Sequence, residues 1–252
     1  MIQIKNLSKH YGQLAAVDNL NLTVAAGEIF GFLGPNGAGK TTTIRCMMGI
    51  LKATSGQVLL DGHDVVGDAQ KAKAISGFIP DRPFIYEKLS GREFLNFVGK
   101  LHRVDAPRLT SRSAELLELL ELTPWQDELV ESYSHGMKQR LVVCGALIHE
   151  PKILVVDEPM VGMDPKGART LKDLFRALAK NRTTVFLSTH SIAVAEEICH
   201  RIGIIRKGRL ISCGTMSEIH AQTNGDRKGN LESAFLELTR EQDLAVPATQ
   251  SL

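Results

Sequence analysis

The run Gly34-Pro35-Asn36-Gly37-Ala38-Gly39-Lys40-Thr41-Thr42 restricts the fold more than any other part of this chain. It fits the phosphate-binding pattern GxxxxGK[ST]. The residues before it, Ile29-Phe30-Gly31-Phe32-Leu33, read as a buried strand, and Thr43 to Leu51 carries apolar residues suited to a helix packed on a sheet. Strand, glycine loop and helix form the context in which the pattern holds a polyphosphate. Glycines let successive backbone N–H groups turn inward with no Cβ in the way. Those groups and the positive end of the following helix cradle an anion. Lys40 adds a mobile charge for the terminal phosphates. Thr41 offers a hydroxyl to Mg²⁺, a cation that takes oxygen ligands and is often shared with substrate phosphates.

The 252 residues allow one large domain, or a main domain with a smaller lobe, and 43% of them are hydrophobic, enough for a sizeable core. A net charge of +2 gives no reason to expect nucleic acid as a partner. Cys46, Cys144, Cys199 and Cys213 match no zinc or disulfide spacing, which favours a reducing compartment. Met1 to Lys5 reads as a strand and not as a signal peptide. The longest strongly apolar run, Leu141 to Ile148, falls well short of the ~20 residues that span a bilayer, so the chain is not expected to cross a membrane by itself.

Alternation organises the start of the chain. Ile2 and Ile4 flank Gln3, while Leu20, Leu22 and Val24 flank Asn21 and Thr23, the period of half-buried antiparallel strands; Gly56 to Asp61 continues it. Ile153-Leu154-Val155-Val156 and Thr184-Val185-Phe186-Leu187 are apolar throughout, as parallel strands covered on both faces should be. Gly167 to Lys180 and Ser191 to Cys199 read as helices among them. Between Pro83 and Glu131 no strand is evident. Ser90-Gly91-Arg92-Glu93 is a capping box that opens one helix, and Ala114 to Leu122 is another. A helical lobe is therefore expected within an α/β core. Arg201 to Cys213 reads as a strand pair turning at Lys207-Gly208. Thr223 to Asn230 reads as a linker, followed by a short helix with Leu231, Ala234, Phe235 and Leu238 on one face and then a tail.

Two further motifs carry chemistry. In Ile153-Leu154-Val155-Val156-Asp157-Glu158-Pro159 a buried strand delivers two carboxylates to its end. Asp157 can hold Mg²⁺ directly or through water, and Glu158 can orient or deprotonate an attacking water. An acidic turn with no ligand is the competing reading, weaker downstream of a phosphate loop. In Tyr133-Ser134-His135-Gly136-Met137-Lys138-Gln139-Arg140, Ser134 stands where it caps the buried helix that follows. Ser134, Gly136 and the free N–H groups there read either as a plain cap or as a second anion site.

Five features, in this order, resemble the ATP-binding cassette (ABC) proteins. They are the loop Gly34–Thr42, the signature-like Ser134-His135-Gly136-Met137, the pair Asp157-Glu158, the turn Gly162-Met163-Asp164-Pro165, and His190 in Ser188-Thr189-His190. The resemblance covers roughly residues 1 to 222. It implies a P-loop NTPase core with a parallel sheet, an N-terminal antiparallel β subdomain and an inserted α-helical subdomain at about 83–135, with residues 223–252 outside the ATPase domain. It implies ATP and Mg²⁺ as cofactors, with Tyr11 stacking on adenine and His190 contacting the γ-phosphate. It also implies that Asp164 links two subunits. Two such domains, either two copies of this chain or this chain and a related cassette, would pair head to tail, with Ser134 and Gly136 of one closing on ATP held by Gly34–Thr42 of the other.

Three positions depart from the family pattern. Asp81 stands where the family has Gln. It keeps an oxygen for Mg²⁺ and loses the donor for water. His135 replaces the first of two glycines, and Met137 replaces a Gln whose side-chain contacts are then lost. The function implied is the ATPase subunit of an ABC transporter, of the kind paired with export-type permeases. The lobe near Phe84-Ile85-Tyr86 and Phe94 would dock on a separate membrane permease. The subunit would sit in the cytoplasm, peripheral on the inner face of the membrane. A soluble ABC ATPase acting on nucleic acid or ribosomes, or a regulatory ATP-binding module without turnover, stays open at this point.

Overall fold

In the computed structural model, which describes residues 1–160, 162–222 and 235, the change from alternating to continuous apolar sequence separates two sheets. The chain begins with the hairpin β1 (Ile2–Tyr11) and β2 (Leu14–Val24), then β3 (Ile29–Leu33), α1 (Lys40–Met47), β4 (Ser55–Leu60) and β5 (His63–Asp64). A short α2 (Ala69–Ala74) leads into β6 (Ser76–Ile79). Three helices follow, α3 (Gly91–Leu101), α4 (Ala106–Leu119) and α5 (His135–Leu147). Alternation of β7 (Ile153–Asp157), α6 (Pro165–Lys180), β8 (Thr184–Thr189), α7 (Ile192–Ile198) and β9 (Arg201–Arg206) completes the core, before β10 (Arg209–Gly214) and α8 (Met216–Ala221).

The alternating strands form an antiparallel sheet in the order β2-β1-β4-β5. The apolar strands form a six-stranded sheet in the order β10-β9-β3-β8-β7-β6, parallel except where β10 turns back on β9. Every residue of β3, β7 and β8 is buried, which is why those strands show no polar alternation. Their side chains divide between the two faces. Phe30, Phe32, Ile153, Val155 and Phe186 pack toward the antiparallel sheet and α1. Leu154, Val156, Val185 and Leu187 pack toward α5, α6 and the helical segment. On α6, Leu171, Leu174, Phe175 and Ala179 are buried at helical spacing.

The helical segment lies between β6 and β7, and no named strand falls within it; an isolated bridge joins Ser90 and Leu129. The capping box forms: Ser90 Oγ accepts from the Glu93 N–H at 3.2 Å and Glu93 Oε2 accepts from the Ser90 N–H at 2.8 Å. Buried residues ring α5, including Leu141, Val142, Val143, Cys144 and Leu147.

Several boundaries differ from the sequence reading. The first helix begins at Lys40 and not at Thr43, and it stops at Met47 because Gly49 turns left-handed at φ 63°. The helix expected over Ala114–Leu122 starts at Ala106. Asp105 Oδ2 accepts from the Arg108 N–H at 3.2 Å and Pro107 suits the first turn, a start signal distinct from the leucine stripe. It ends at Leu119, with Glu121 at φ 56°. The helix read from Gly167 opens at Pro165, and Ser191 and Cys199 are the caps of α7. The expected linker and terminal helix lie outside the described residues, apart from Phe235, which packs against the cluster of Leu33, Ile202 and Ile204.

The Phe186 ring lies 5.7 Å from that of Phe30 and 5.3 Å from that of Phe32, joining β8 to β3, the strand that leads into the glycine loop. Phe186→Ala is expected to lower stability by about 3–5 kcal/mol in chemical denaturation. A loss below about 1 kcal/mol would place the weight of this core elsewhere.

Candidate functional site

The loop after β3 is held by close backbone approaches. A Cβ on Gly34 would stand 2.4 Å from the Ile205 carbonyl oxygen, and one on Gly39, at φ 109°, would stand 2.4 Å from that of Ala16. No side chain fits either place. β9 and β2 therefore clamp the two ends of the loop, and α1 begins at Lys40, directly after Gly39. The first N–H groups of α1 consequently open toward the loop.

Lys40 is buried. Its ammonium donates to the Gly34 carbonyl at 2.6 Å and to that of Pro35 at 3.4 Å, and lies 3.5 Å from Glu158 Oε1. The Thr41 hydroxyl donates to Asp157 Oδ2 at 2.9 Å. Asp157 ends β7, is 1% exposed, and pairs in register with Ser188 of β8. Its Oδ1 and the Ser188 Oγ are both buried without a regular hydrogen bond among the described residues, although the Ser188 hydroxyl is near enough to favour the ionised carboxylate. Burial pushes the Asp157 carboxyl above its usual value, against the Ser188 and Thr41 hydroxyls and with the help of the Asp81 and Glu158 charges.

Glu158 sits at φ 48°, a left-handed conformation that a non-glycine residue adopts at a cost. Its N–H donates to the Ser188 carbonyl at 3.0 Å. Its Oε2 accepts from His190 Nδ1 at 2.9 Å and from the His190 N–H at 3.3 Å. The carboxylate is thus fixed between an ammonium and an imidazole. The Nδ1 contact places that proton on the side of Glu158, so Nε2 of the exposed ring is the nitrogen left for a ligand.

A cavity of about 400 Å³ joins the loop, Lys40, Thr41 and Glu158, while Asp157 and His190 lie outside its lining. Residues 35–42 form one wall, and Tyr11, Leu14, Ala16, Asp81 and Glu158 form the rest. Tyr11 pairs with Leu14 across the β1–β2 turn, so an exposed aromatic and an exposed apolar side chain flank the loop together. Leu14 and Ala16 were not singled out from sequence. The signal for Leu14 was its position opposite Tyr11 across the Gly12 turn, and Ala16 acts through its carbonyl, which leaves no trace in residue type.

Ser134, Gly136 and Asp164 do not line this cavity. Ser134 caps α5, accepting from the Met137 N–H at 3.3 Å. Asp164 caps α6 by position without a side-chain hydrogen bond, and its Oδ1 lies over Gly167. The His135 ring packs over Gly162, joining the start of α5 to the turn before α6. The chain therefore carries the phosphate cavity and, apart from it, a second helix start.

The Mg²⁺ expectation can be tested on the polar atoms present. A buried carboxylate oxygen without a partner, a threonine hydroxyl on its other oxygen, and Asp81 on the same cavity form a hard oxygen set. Among the described residues no three His, Cys, Asp or Glu side chains are grouped to hold a metal unaided. The set fits an ion that shares its ligands with a phosphate.

A family model described as ABC transporter matches residues 17–161. The daunorubicin resistance ATP-binding protein DrrA3 of Streptomyces coeruleorubidus is 39% identical over 226 residues, covering 90% of this chain and 72% of that protein. A solved ATP-binding subunit of an ABC transporter superposes at a TM-score of 0.90 with 28% identity, over 95% of this chain and 100% of that one. A bacterial ABC transporter cassette solved as a dimer superposes at 0.79 with 26% identity, over 85% of this chain and 98% of that one.

Because burial holds the Asp157 carboxyl above its usual value, its charge opposes folding at neutral pH. Asp157→Asn should raise the Tm of the protein alone at pH 7, by about 2–4 °C. The gain should shrink as pH falls and vanish below the ordinary carboxylate range, where both states are protonated. A thermal scan from pH 3 to 7 checks this, and a gain independent of pH would contradict it.

Proposed function

This chain belongs to the ABC transporter family as an ATP-binding, ATP-hydrolysing subunit, and we propose that it works as a head-to-tail pair that drives a separate membrane permease. The observation that carries the reading is Glu158 held between Lys40 and His190 beside the loop. That arrangement orients a base where a terminal phosphate would end.

In this reading the residues of Gly34–Thr42 bind the phosphates through backbone N–H groups, and Lys40 reaches the terminal ones. Tyr11, with Leu14 beside it, receives the adenine by stacking. Glu158 accepts a proton from the attacking water at a carboxylate oxygen, and His190 presents Nε2 to the γ-phosphate while Nδ1 holds Glu158 in place. Thr41, Asp157 and Asp81 would hold Mg²⁺, which neutralises charge on the phosphates when bound. Asp81 can give the metal an oxygen but has no donor for the water, so more of the positioning falls to Glu158 and His190.

Ser134 and Gly136 stand at a separate helix start, away from the cavity. A second copy supplies them to the ATP held here, and Asp164 lies at the joint between copies. The dimeric cassette among the similar structures supports this pairing. ATP contacts made only in the closed pair drive closure, since a ligand shifts an equilibrium by no more than its differential affinity. Among the described residues no helix is long and apolar enough to cross a membrane. In this reading a separate permease supplies the path, and this subunit lies peripheral on its cytoplasmic face. The similarity to a daunorubicin resistance ATP-binding protein supports export as the direction of work.

Glu158→Gln keeps the shape of the side chain and removes the base. It is expected to lower kcat by about 10²–10⁴-fold and to trap a dimer with ATP and Mg²⁺ in sedimentation velocity. A variant that remains monomeric with ATP would contradict the paired reading.

A further inference from the structure

A larger cavity, of about 600 Å³, opens at the other end of the parallel sheet from the phosphate loop. Lys152 and Thr184 stand on it where β7 and β8 begin, whereas Asp157 ends β7 beside the loop. Its walls come from three parts of the fold. Arg112 belongs to α4, Leu178 and Thr183 to the end of α6 and the turn after it, and Asp61 to the end of β4. It shares no lining residue with the phosphate cavity. A space of this size suits a small molecule.

The lining has an aliphatic part and a charged part. Ala26, Leu147, Pro151 and Leu178 belong to the first, and no aromatic side chain joins them among the described residues. In the second, most charges answer one another. Lys152 Nζ lies 3.0 Å from Asp61 Oδ2, and that hydrogen bond holds the Asp61 carboxyl below its usual value. Glu150 is met by Arg108 and, at 3.9 Å, by Arg112, whose other partner is Glu115 at 2.6 Å. Arg182 is the exception. Its guanidinium has no ion pair or hydrogen bond among the described residues, and neither has the side-chain amide of Asn181 beside it. The base of the Arg182 side chain is fixed. The residue turns left-handed at φ 66°, its N–H donates to the Ala179 carbonyl at 3.0 Å, and a Cβ on Gly27 would stand 3.4 Å from its Cα.

We propose that this cavity binds a small aliphatic monocarboxylate, its carboxylate on the Arg182 guanidinium and its chain against Leu147 and Leu178. One uncompensated cation calls for one negative charge. The planar guanidinium fork matches a carboxylate with two parallel hydrogen bonds, and the Asn181 amide offers a further donor. The aliphatic wall takes the chain out of water. A nucleotide is a poor occupant, because the cavity has no ring on which a base could stack and Asp61 and Glu150 repel a polyanion. The ligand joins the starts of β7 and β8 to α4, and it binds together with a nucleotide because the two cavities are separate. Nothing in this site requires a membrane partner.

Isothermal titration calorimetry with hexanoate tests this on the full chain, with saturating ADP and Mg²⁺ filling the phosphate loop. Binding of one hexanoate per chain is expected, with a Kd of about 1 mM or tighter. Arg182→Gln should weaken it by at least about tenfold while leaving the ATPase rate unchanged. Lys40→Ala should leave hexanoate binding as it is, because the phosphate loop takes no part. Acetate should bind at least about tenfold more weakly than hexanoate, since it has no chain to lay on the aliphatic wall. No heat of binding up to about 10 mM hexanoate overturns the proposal, as does undiminished binding by Arg182→Gln. Acetate binding as tightly as hexanoate would mean an adventitious ion only, and 1-hexanol binding as tightly would mean apolar contact without the carboxylate; either overturns it. Capture of the chain by phosphatidylserine vesicles that Arg182→Gln abolishes, without binding of free hexanoate, would give the site to a lipid headgroup and also overturn it.

Discussion

The backbone of the phosphate loop touches the backbone of two other strands, and the rest of the site depends on that contact. Gly34 lies against the Ile205 carbonyl and Gly39 against that of Ala16, each too close for a Cβ. Residues far apart in sequence, from β2, β3 and β9, are brought to one point. Glycine is required there by its neighbours as much as by the phosphate it would bind. The hydrogen bonds from Asp18 N–H to the Gly208 carbonyl and from Gly208 N–H to the Ala38 carbonyl, each 2.9 Å, tie the same three segments together. The antiparallel sheet therefore helps to form the cavity at the loop, since it supplies the clamp on Gly39 and the wall of Tyr11 and Leu14.

From that anchor the central strands set the chemistry. β7 and β8 lie side by side next to β3, so Asp157, Glu158, Ser188 and His190 emerge at the strand ends beside the loop. The sheet gives each carboxylate a different surrounding. Asp157 is buried with one oxygen on Thr41 and the other unpartnered, whereas Glu158 turns left-handed and faces Lys40 and His190. In the proposed reading these two neighbouring acids take two roles, one toward a metal and one toward water. The strain at Glu158 is held by its backbone bond to Ser188, a contact that also keeps the two strand ends in step.

Much of this was legible in the residues. The continuous apolar strands, the hairpin at Lys207-Gly208, the capping box at Ser90 and the strand-loop-helix unit all follow from local chemistry, and the structure contains each. Helix starts were less legible. α1 opens at Lys40 because the left-handed Gly39 ends the loop there, and the sequence of the loop does not show where it becomes helix. α4 opens at Asp105, where the apolar stripe has not yet begun. β6 is short and is best recognised by its partner β7, so Gly77 to Asp81 was read only for its last residue. The partners of a side chain were legible only where a motif implied them. Leu14 beside Tyr11, the orphaned Asp157 oxygen beside Ser188, and the stack of His102 on His149 all depend on tertiary pairing, which residue order does not display.

The separation of Ser134 and Gly136 from the phosphate cavity gives the account its central claim, that one subunit holds the nucleotide and another completes the site. ATPase activity in a mixture of two disabled subunits tests it most directly. Lys40→Ala removes the phosphate contact of its own loop, and Ser134→Arg blocks the helix start offered to a partner. The account predicts that each variant alone is inactive and that mixing them restores hydrolysis, because one intact site forms in each mixed pair. A mixture no more active than the sum of its parts would contradict the shared site.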